Sequence, residues 1–270
     1  MNLLGKNNPR VKALLRLTRR RHREEEQKFI IESYRMVAEA LSSTWPIEAI
    51  YCTPKFQAGS RGQEILAVAR SRNVDVYVIP PEVLNRVATV EEPQGILAVV
   101  YVRKSSLEEL LRPSPPLVVV VDGVQDPGNL GTIIRTAYAA GASGALLIEG
   151  TVDVYNLKTV RATAGAIFHF PVAQGVPLNK ALDFIERAGL RLIVADPRGA
   201  TSLYEANFCG PTAVVVGGEG AGPRPEVYGA ALHRVFIPMQ AKTESLNVAV
   251  AAALLIYEAV RQRHGNRPNL

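Results

Sequence analysis

Apolar residues along this chain fall into short runs, separated by stretches in which they recur every third or fourth position. In the first hundred residues the runs at 47–52, 74–79 and 95–102 read as strands, with helical spacing at 63–70 and near 81–88 between them. Residues 9–41 read as helix: Val11, Leu14, Leu15 and Leu17 alternate with basic positions, and Phe29, Ile30, Tyr34, Val37, Ala38 and Leu41 continue the spacing. The stretch Leu111-Arg112-Pro113-Ser114-Pro115-Pro116 can continue neither element, because proline fixes φ and removes a backbone donor. It predicts a linker at 107–116 between an α/β unit at 1–106 and a second at 117–270.

Beyond the linker the pattern sharpens. Residues 117–121 form an uninterrupted apolar run, the mark of a strand buried on both faces. Further strand-like runs lie at 145–148, 192–195, 213–216 and 235–237, with helical stretches at 130–140, 160–166 and 178–188 between them. Strands alternating with helices predict a parallel sheet covered on both faces. The chain closes with a helix at 246–263 that is apolar almost all round, from Leu246 and Val248 through Leu254, Leu255 and Ile256 to Val260. Such a helix must be covered on every side. Intramolecular packing or a subunit interface would do this, and a homodimer is expected.

Charge changes the picture at one end only. The formal net charge is +6, and residues 1–28 carry nine cations against Glu24, Glu25 and Glu26, so the excess is concentrated there and the remainder is nearly neutral. A local basic surface fits a polyanion such as nucleic acid, bound through phosphate contacts; a solvated amphipathic helix is the alternative. Cys52 and Cys209 have no partner at metal-ligand spacing and make no disulfide framework, which suits a reducing cytoplasm. The longest apolar stretch, 248–257, is too short for a bilayer, which takes about 20 residues. Neither a membrane span nor a metal is expected.

Three segments of the second unit carry candidate chemistry. Asp126-Pro127-Gly128-Asn129-Leu130-Gly131 leaves a strand and enters a helix, with Asn129 as the expected N-cap. Gly131 and Arg135 are four apart and share a face, which would leave Arg135 beside an opening. Gly217-Gly218-Glu219-Gly220-Ala221-Gly222 exposes backbone groups after another strand, with Glu219 expected to be held by Arg135 or a backbone amide. Its glycines look superficially like a Rossmann phosphate loop, but that loop follows the first strand and runs into a helix, which Pro223-Arg224-Pro225 would block. In Ile237-Pro238-Met239 and Ser245-Leu246-Asn247, proline ends a strand, and Ser245 or Asn247 could cap the last helix or orient a hydroxyl.

Together and in this order, the three segments resemble the signature motifs of the SpoU–TrmH family of SPOUT-class RNA ribose methyltransferases, over residues 117–263. The resemblance implies a C-terminal α/β domain with a trefoil knot, S-adenosylmethionine as cofactor, and methylation of a ribose 2′-hydroxyl in structured RNA. By position it implies cofactor contacts from Gly217, Gly218, Ile237, Met239 and Leu246, and an active site of Asn129, Arg135, Glu219, Ser245 and Asn247, with Glu219 and Asn129 holding Arg135 in place. Residues 155–168 resemble a further family segment near the dimer interface and the site. Asn8-Pro9-Arg10-Val11-Lys12, Phe29-Ile30-Ile31-Glu32 and Pro93-Gln94-Gly95-Ile96 resemble the ribosomal-protein-like, RNA-binding domain of the rRNA-directed subset. Arg10, Lys12, Arg19, Arg20, Arg21 and Arg23 are then the expected RNA contacts, with ribosomal RNA as the expected partner. A tRNA methyltransferase, a non-catalytic ribosome-assembly protein and a nucleotide-using enzyme on a Rossmann-like fold are the competing readings. Gly218 stands where the family often has asparagine and Ala241 where it usually has glycine, which bears on cofactor affinity.

Overall fold

A computed structural model describes residues 3–240 and 245–264. Compactness divides the chain into two units, one of Met1–Arg103 with Asp153–His169, the other of Lys104–Val152 with Phe170–Leu270.

The first unit begins with α1 (Pro9–Arg16), α2 (Arg20–Glu26), β1 (Lys28–Glu32), α3 (Tyr34–Ser42) and β2 (Ile47–Cys52). It continues through α4 (Pro54–Ala58), α5 (Ser60–Ser71), β3 (Asp75–Val78), α6 (Pro81–Val87) and β4 (Ile96–Tyr101). The sheet order is β1-β4-β2-β3, with β4 antiparallel to both neighbours and β3 parallel to β2. Residues 9–41 are therefore not all helix. Gln27 adopts left-handed backbone (φ 51°) at the end of α2, and Ser33 (φ 89°) breaks the chain again before α3. Between these breaks Phe29, Ile30 and Ile31 pair with Val100, Val99 and Ala98 of β4. Three consecutive buried positions cannot lie on one stripe of a helix, but a covered strand accommodates them. Asn8 caps α1 by accepting from Arg10 N at 2.9 Å, and Val11, Leu14 and Leu17 pack against Val83, Leu84 and Val87 of α6.

The second unit is built on β5 (Leu117–Asp122), α7 (Pro127–Ala139) and β6 (Gly144–Ile148), after which the chain contributes α8 (Leu157–Ala162) to the first unit. It resumes with β7 (Val172–Val176), α9 (Leu178–Arg187), β8 (Arg191–Ala195), β9 (Thr201–Ser202), β10 (Thr212–Gly217), α10 (Pro225–Ala230), β11 (His233–Phe236) and α11 (Val248–His264). Seven strands run parallel in the order β7-β6-β5-β10-β8-β11-β9. The apolar runs are central strands: Val118–Val121 and Ala213–Val216 are almost wholly buried. Leu110, inside the segment expected as linker, is fully buried in this unit's core among Val118, Leu146 and Ala213. The closing helix starts at Val248 and buries Ala249, Ala252, Leu255, Ile256 and Ala259 against α7 and β10.

Residues 155–168 pack within the first unit. The Phe29 and Tyr155 rings meet at a 39° tilt with centroids 4.8 Å apart, and Trp45 meets Phe168 edge-on at 5.5 Å.

Candidate active site

Parallel pairing brings the three motif segments to one edge of the second sheet. Gly217 of β10 lies in register with Asp122 of β5, so the loops that follow them leave side by side. β11 runs in the same direction and ends on the same edge, where α/β sheets bind their ligands.

The first loop turns into α7 through Asp126, whose carboxylate accepts from Asn129 N at 2.7 Å, with Pro127 in the first turn. Asp126, not Asn129, is thus the N-cap; proline at the first helical position is the local signal that places the cap one residue earlier. This frees the Asn129 side chain. Its Nδ2 donates to Glu219 Oε1 at 2.8 Å, and its Oδ1 accepts from Asn247 Nδ2 at 3.0 Å. Asn247 Oδ1 in turn accepts from Ala249 N at 2.9 Å and Val250 N at 3.3 Å, capping α11.

The polarity of this chain of bonds follows from its ends. An ionised carboxylate only accepts and backbone N–H groups only donate, so both amides must point their NH₂ toward Glu219. One relay therefore ties the start of α7, the glycine loop and the start of α11. Each amide keeps one further N–H for a ligand, but Asn247 is no longer a free ribose-facing group; capping and bridging occupy most of it.

Burial pushes the Glu219 carboxyl up, but hydrogen bonds from Asn129, its own N–H and the N–H groups of Gln125 and Asp126 outweigh that, leaving it below the ordinary carboxylate range. Glu219 is therefore not held by Arg135. Arg135 is exposed, and its side chain makes no hydrogen bond or ion pair among the described residues. A guanidinium left in solvent one helical turn from buried Gly131 is available to an incoming anion.

The glycine loop folds on itself. Gly218 N donates to Asp122 O at 2.9 Å and Gly222 N to Gly218 O at 3.0 Å. A Cβ at Gly217 would sit 2.0 Å from Pro223 N, and one at Gly218 would sit 2.6 Å from Gly123 O. The second contact explains why glycine occupies position 218 here: this backbone has no room for asparagine. After the loop Arg224 clamps Asp122, its N at 2.7 Å from Oδ2 and its Nε at 2.9 Å from Oδ1. The short helix α10 does follow, from Pro225, despite the prolines. Since the Gly218 and Gly222 amides are satisfied within the loop, they do not form a Rossmann phosphate cradle.

Ile237 and Met239 are half-buried, and their main-chain N–H and C=O groups form no hydrogen bond among the described residues. Partly buried backbone groups of this kind suit a ligand read through the main chain, as an adenine would be. Leu246 is 37% exposed and Ser245 is exposed beside the site. Ala241 lies outside the described residues. Gln125, Asp122 and Arg224 escaped sequence reading, since their partners lie up to 102 residues away.

Of the expected RNA contacts, Arg10 lies exposed over the Tyr77 ring at 4.6 Å, and Lys12 and Arg19 are exposed. Arg20 and Arg21 form surface pairs with Glu24 and Glu25, each at 2.7 Å, which a phosphate can displace. Arg23 must be removed from the set. It is only 6% exposed, with Nη2 at 2.7 Å from Asp153 Oδ2 and Nη1 donating to Leu17 O and Thr18 O. A buried, fully paired guanidinium holds the fold together and cannot reach RNA.

Residues 116–257 match the SpoU rRNA Methylase family, and residues 8–98 match an MRM3-like substrate binding domain. The chain is 32% identical to the 23S rRNA (guanosine(2553)-2'-O)-methyltransferase RlmP of Bacillus subtilis over 93% of its own length and 95% of that protein's. Among solved structures it is similar to the SpoU methyltransferase AviRb from Streptomyces viridochromogenes in complex with the cofactor AdoMet, with a TM-score of 0.87, 29% identity and coverage of 97% and 100% of the two chains. It is also similar to an AdoMet-bound rRNA methyltransferase from Sinorhizobium meliloti, with a TM-score of 0.86, 30% identity and coverage of 96% and 97%.

Proposed function

The chain belongs to the SpoU rRNA methylase family, and from that premise we propose that it transfers the methyl group of S-adenosylmethionine to a ribose 2′-hydroxyl of ribosomal RNA. The observation that carries this reading is the Glu219–Asn129–Asn247 relay, which gathers all three motif segments at one sheet edge. The first unit acts as the substrate-binding domain and the second as the catalytic one, with a trefoil knot in the latter as the family membership implies. The packing of α11 on α7 and β10 supports that arrangement.

The residues present fit the cofactor. Gly217, Gly218, Leu246 and the main chain of Ile237 and Met239 would hold it, and bound there it supplies an electrophilic methyl on a sulfonium. The protein's part is to bring the hydroxyl in line and to manage its proton. Positioning of this kind can contribute about 7–11 kcal/mol. As a guanidinium, Arg135 carries a fixed positive charge in a fork that matches phosphate oxygens, so it serves as a grip on the phosphate next to the target ribose rather than as a base. Ser245 and the spare N–H groups of Asn129 and Asn247 orient the hydroxyl. Glu219 fixes Asn129 and, through it, Asn247. The hydroxyl proton leaves to phosphate or water.

The expected outcome for Arg135→Ala is loss of methyl transfer with cofactor binding intact, read by mass spectrometry of RNA and by S-adenosylmethionine titration. Retained turnover would remove Arg135 from the mechanism, and failure to bind the cofactor in the parent protein would favour a non-catalytic ribosome-assembly role.

The protein acts as a homodimer in the cytoplasm, where ribosomal RNA is found. Val250, Leu254 and Tyr257 are 48%, 39% and 50% exposed at i, i+4 and i+7 of α11, an apolar stripe on the face opposite the buried alanines. No helix of the described residues is long and apolar enough to cross a membrane.

A further inference from the structure

A cleft of about 360 Å³ opens in the first unit between the α1–α2 corner and α6, lined by Leu15, Arg16, Thr18, Arg19, His22 and Arg86. Its shape follows from the packing below it. Because α6 buries Val83, Leu84 and Val87 against α1, Arg86 is left on the solvent side, facing the last turn of α1. A residue 70 positions from Arg16 thereby joins the N-terminal cations.

The charges are unbalanced. Three guanidiniums line the cleft and no carboxylate does. The acids nearest its lining are Glu26, 3.8 Å from Arg16, and Glu25, 3.1 Å from His22 Nδ1, which also lies 3.3 Å from Arg16 Nη2. The side chains of Arg19 and Arg86 make no hydrogen bond or ion pair among the described residues. Converging like charges are unfavourable unless an anion joins them, and the planar guanidinium fork matches phosphate oxygens. Apart from the His22 imidazole no aromatic ring is present, and no carboxamide, so the lining reads charge rather than base edges. The volume lies within the ~300–1,000 Å³ of small-ligand sites, more room than a single bare ion needs.

We propose that this cleft seats a phosphodiester of the RNA strand, gripped by Arg16, Arg19 and Arg86 with His22 at its wall. The proposal rests on reading the first unit as RNA-binding. It adds Arg86 to the footprint and makes the contact one that positions the strand without reading its sequence.

The test uses the full chain and an in vitro transcript of ribosomal RNA, with affinity measured against salt concentration. Arg86→Ala and Arg19→Ala should each weaken binding and lower the slope of log K against log salt by about 0.7–0.9, one phosphate contact's worth. Arg86→Glu should weaken it further. Arg70→Ala, which removes an exposed charge on α5, should change the slope much less. An unchanged slope in both Arg86 variants, or an equal change in Arg70→Ala, would overturn the proposal. So would saturable binding of inorganic phosphate, lost in Arg86→Ala, without any effect on RNA; the cleft would then belong to a free anion. Titration with S-adenosylmethionine separates the two levels. Intact cofactor binding and turnover with an unchanged salt slope sinks the cleft alone, whereas a parent protein that binds neither RNA nor cofactor sinks the methyltransferase reading with it.

Discussion

Asn247 has two jobs that can be pulled apart by two substitutions. Its Oδ1 caps α11 through Ala249 N and Val250 N, and its Nδ2 closes the relay to Asn129. Asn247→Ala removes both. Loss of an N-cap costs about 1 kcal/mol, and loss of the bond to Asn129 about 0.5–1.5 kcal/mol. At roughly 2–4 °C per kcal/mol for a chain of this size, Tm should fall by about 4–8 °C. Asn247→Asp keeps the cap, since aspartate is as good an N-cap as asparagine and its charge is favoured at a helix start. It destroys the donor, however, and leaves Asn129 between two carboxylates with one NH₂ to offer. Repulsion between solvent-facing carboxylates at this range is on the order of 1 kcal/mol or less, comparable to the gain at the helix start. With the cap kept, Asn247→Asp should lower Tm by about 2–4 °C less than Asn247→Ala does, while the relay opens and single-turnover methyl transfer falls roughly ten- to hundredfold, as small misplacements of reacting groups do. Thermal unfolding at pH 7 and methyl transfer to a ribosomal RNA transcript read the two effects separately. If Asn247→Asp lowers Tm as much as Asn247→Ala, the capping assignment is wrong. If it turns over at the parent rate, the relay does not set the site.

Arg23→Ala should destabilise by about 3–5 kcal/mol, because it leaves the Asp153 carboxylate buried without its partner; a normal unfolding midpoint with weakened RNA binding would return Arg23 to the RNA surface. Leu254→Glu on the exposed stripe of α11 should convert a dimer to a monomer in sedimentation, and an unchanged mass would mean that face is not the interface. Acid should loosen the second unit. Glu258 is held below the ordinary carboxylate range by Arg261, against the upward push of burial and with help from Gln262, and Glu219 is lowered as described above. A depressed native pKa contributes stability that is present above the unfolded value of about 4.3 and is lost as pH falls through the lower native one. Glu258→Gln should accordingly flatten the fall of stability below about pH 4.3, and an unaltered acid limb would show that this pair contributes nothing there.

What the chain declares locally is legible in its sequence. Runs such as 47–52 and 117–121 have one sensible burial, so their strands were read nearly to the residue, and alternation of helix with strand implied the parallel sheet. The motif segments announced themselves because each joins a strand to turn-forming residues within a few positions. Tertiary structure decided whatever depends on two distant residues at once. The helical spacing of 9–41 runs on through Phe29 and Ile30 to Tyr34, and only the pairing with β4 shows that Phe29-Ile30-Ile31 is a strand. Arg23 looks like its exposed neighbours until Asp153, 130 residues on, is placed against it. Asn129 looks like a cap until Asp126 takes that role and Glu219 and Asn247 arrive on either side. Periodicity and local propensity carry information over a turn or two, whereas the free energy of a hydrogen bond or ion pair depends on the separation in space of groups whose separation along the chain is arbitrary.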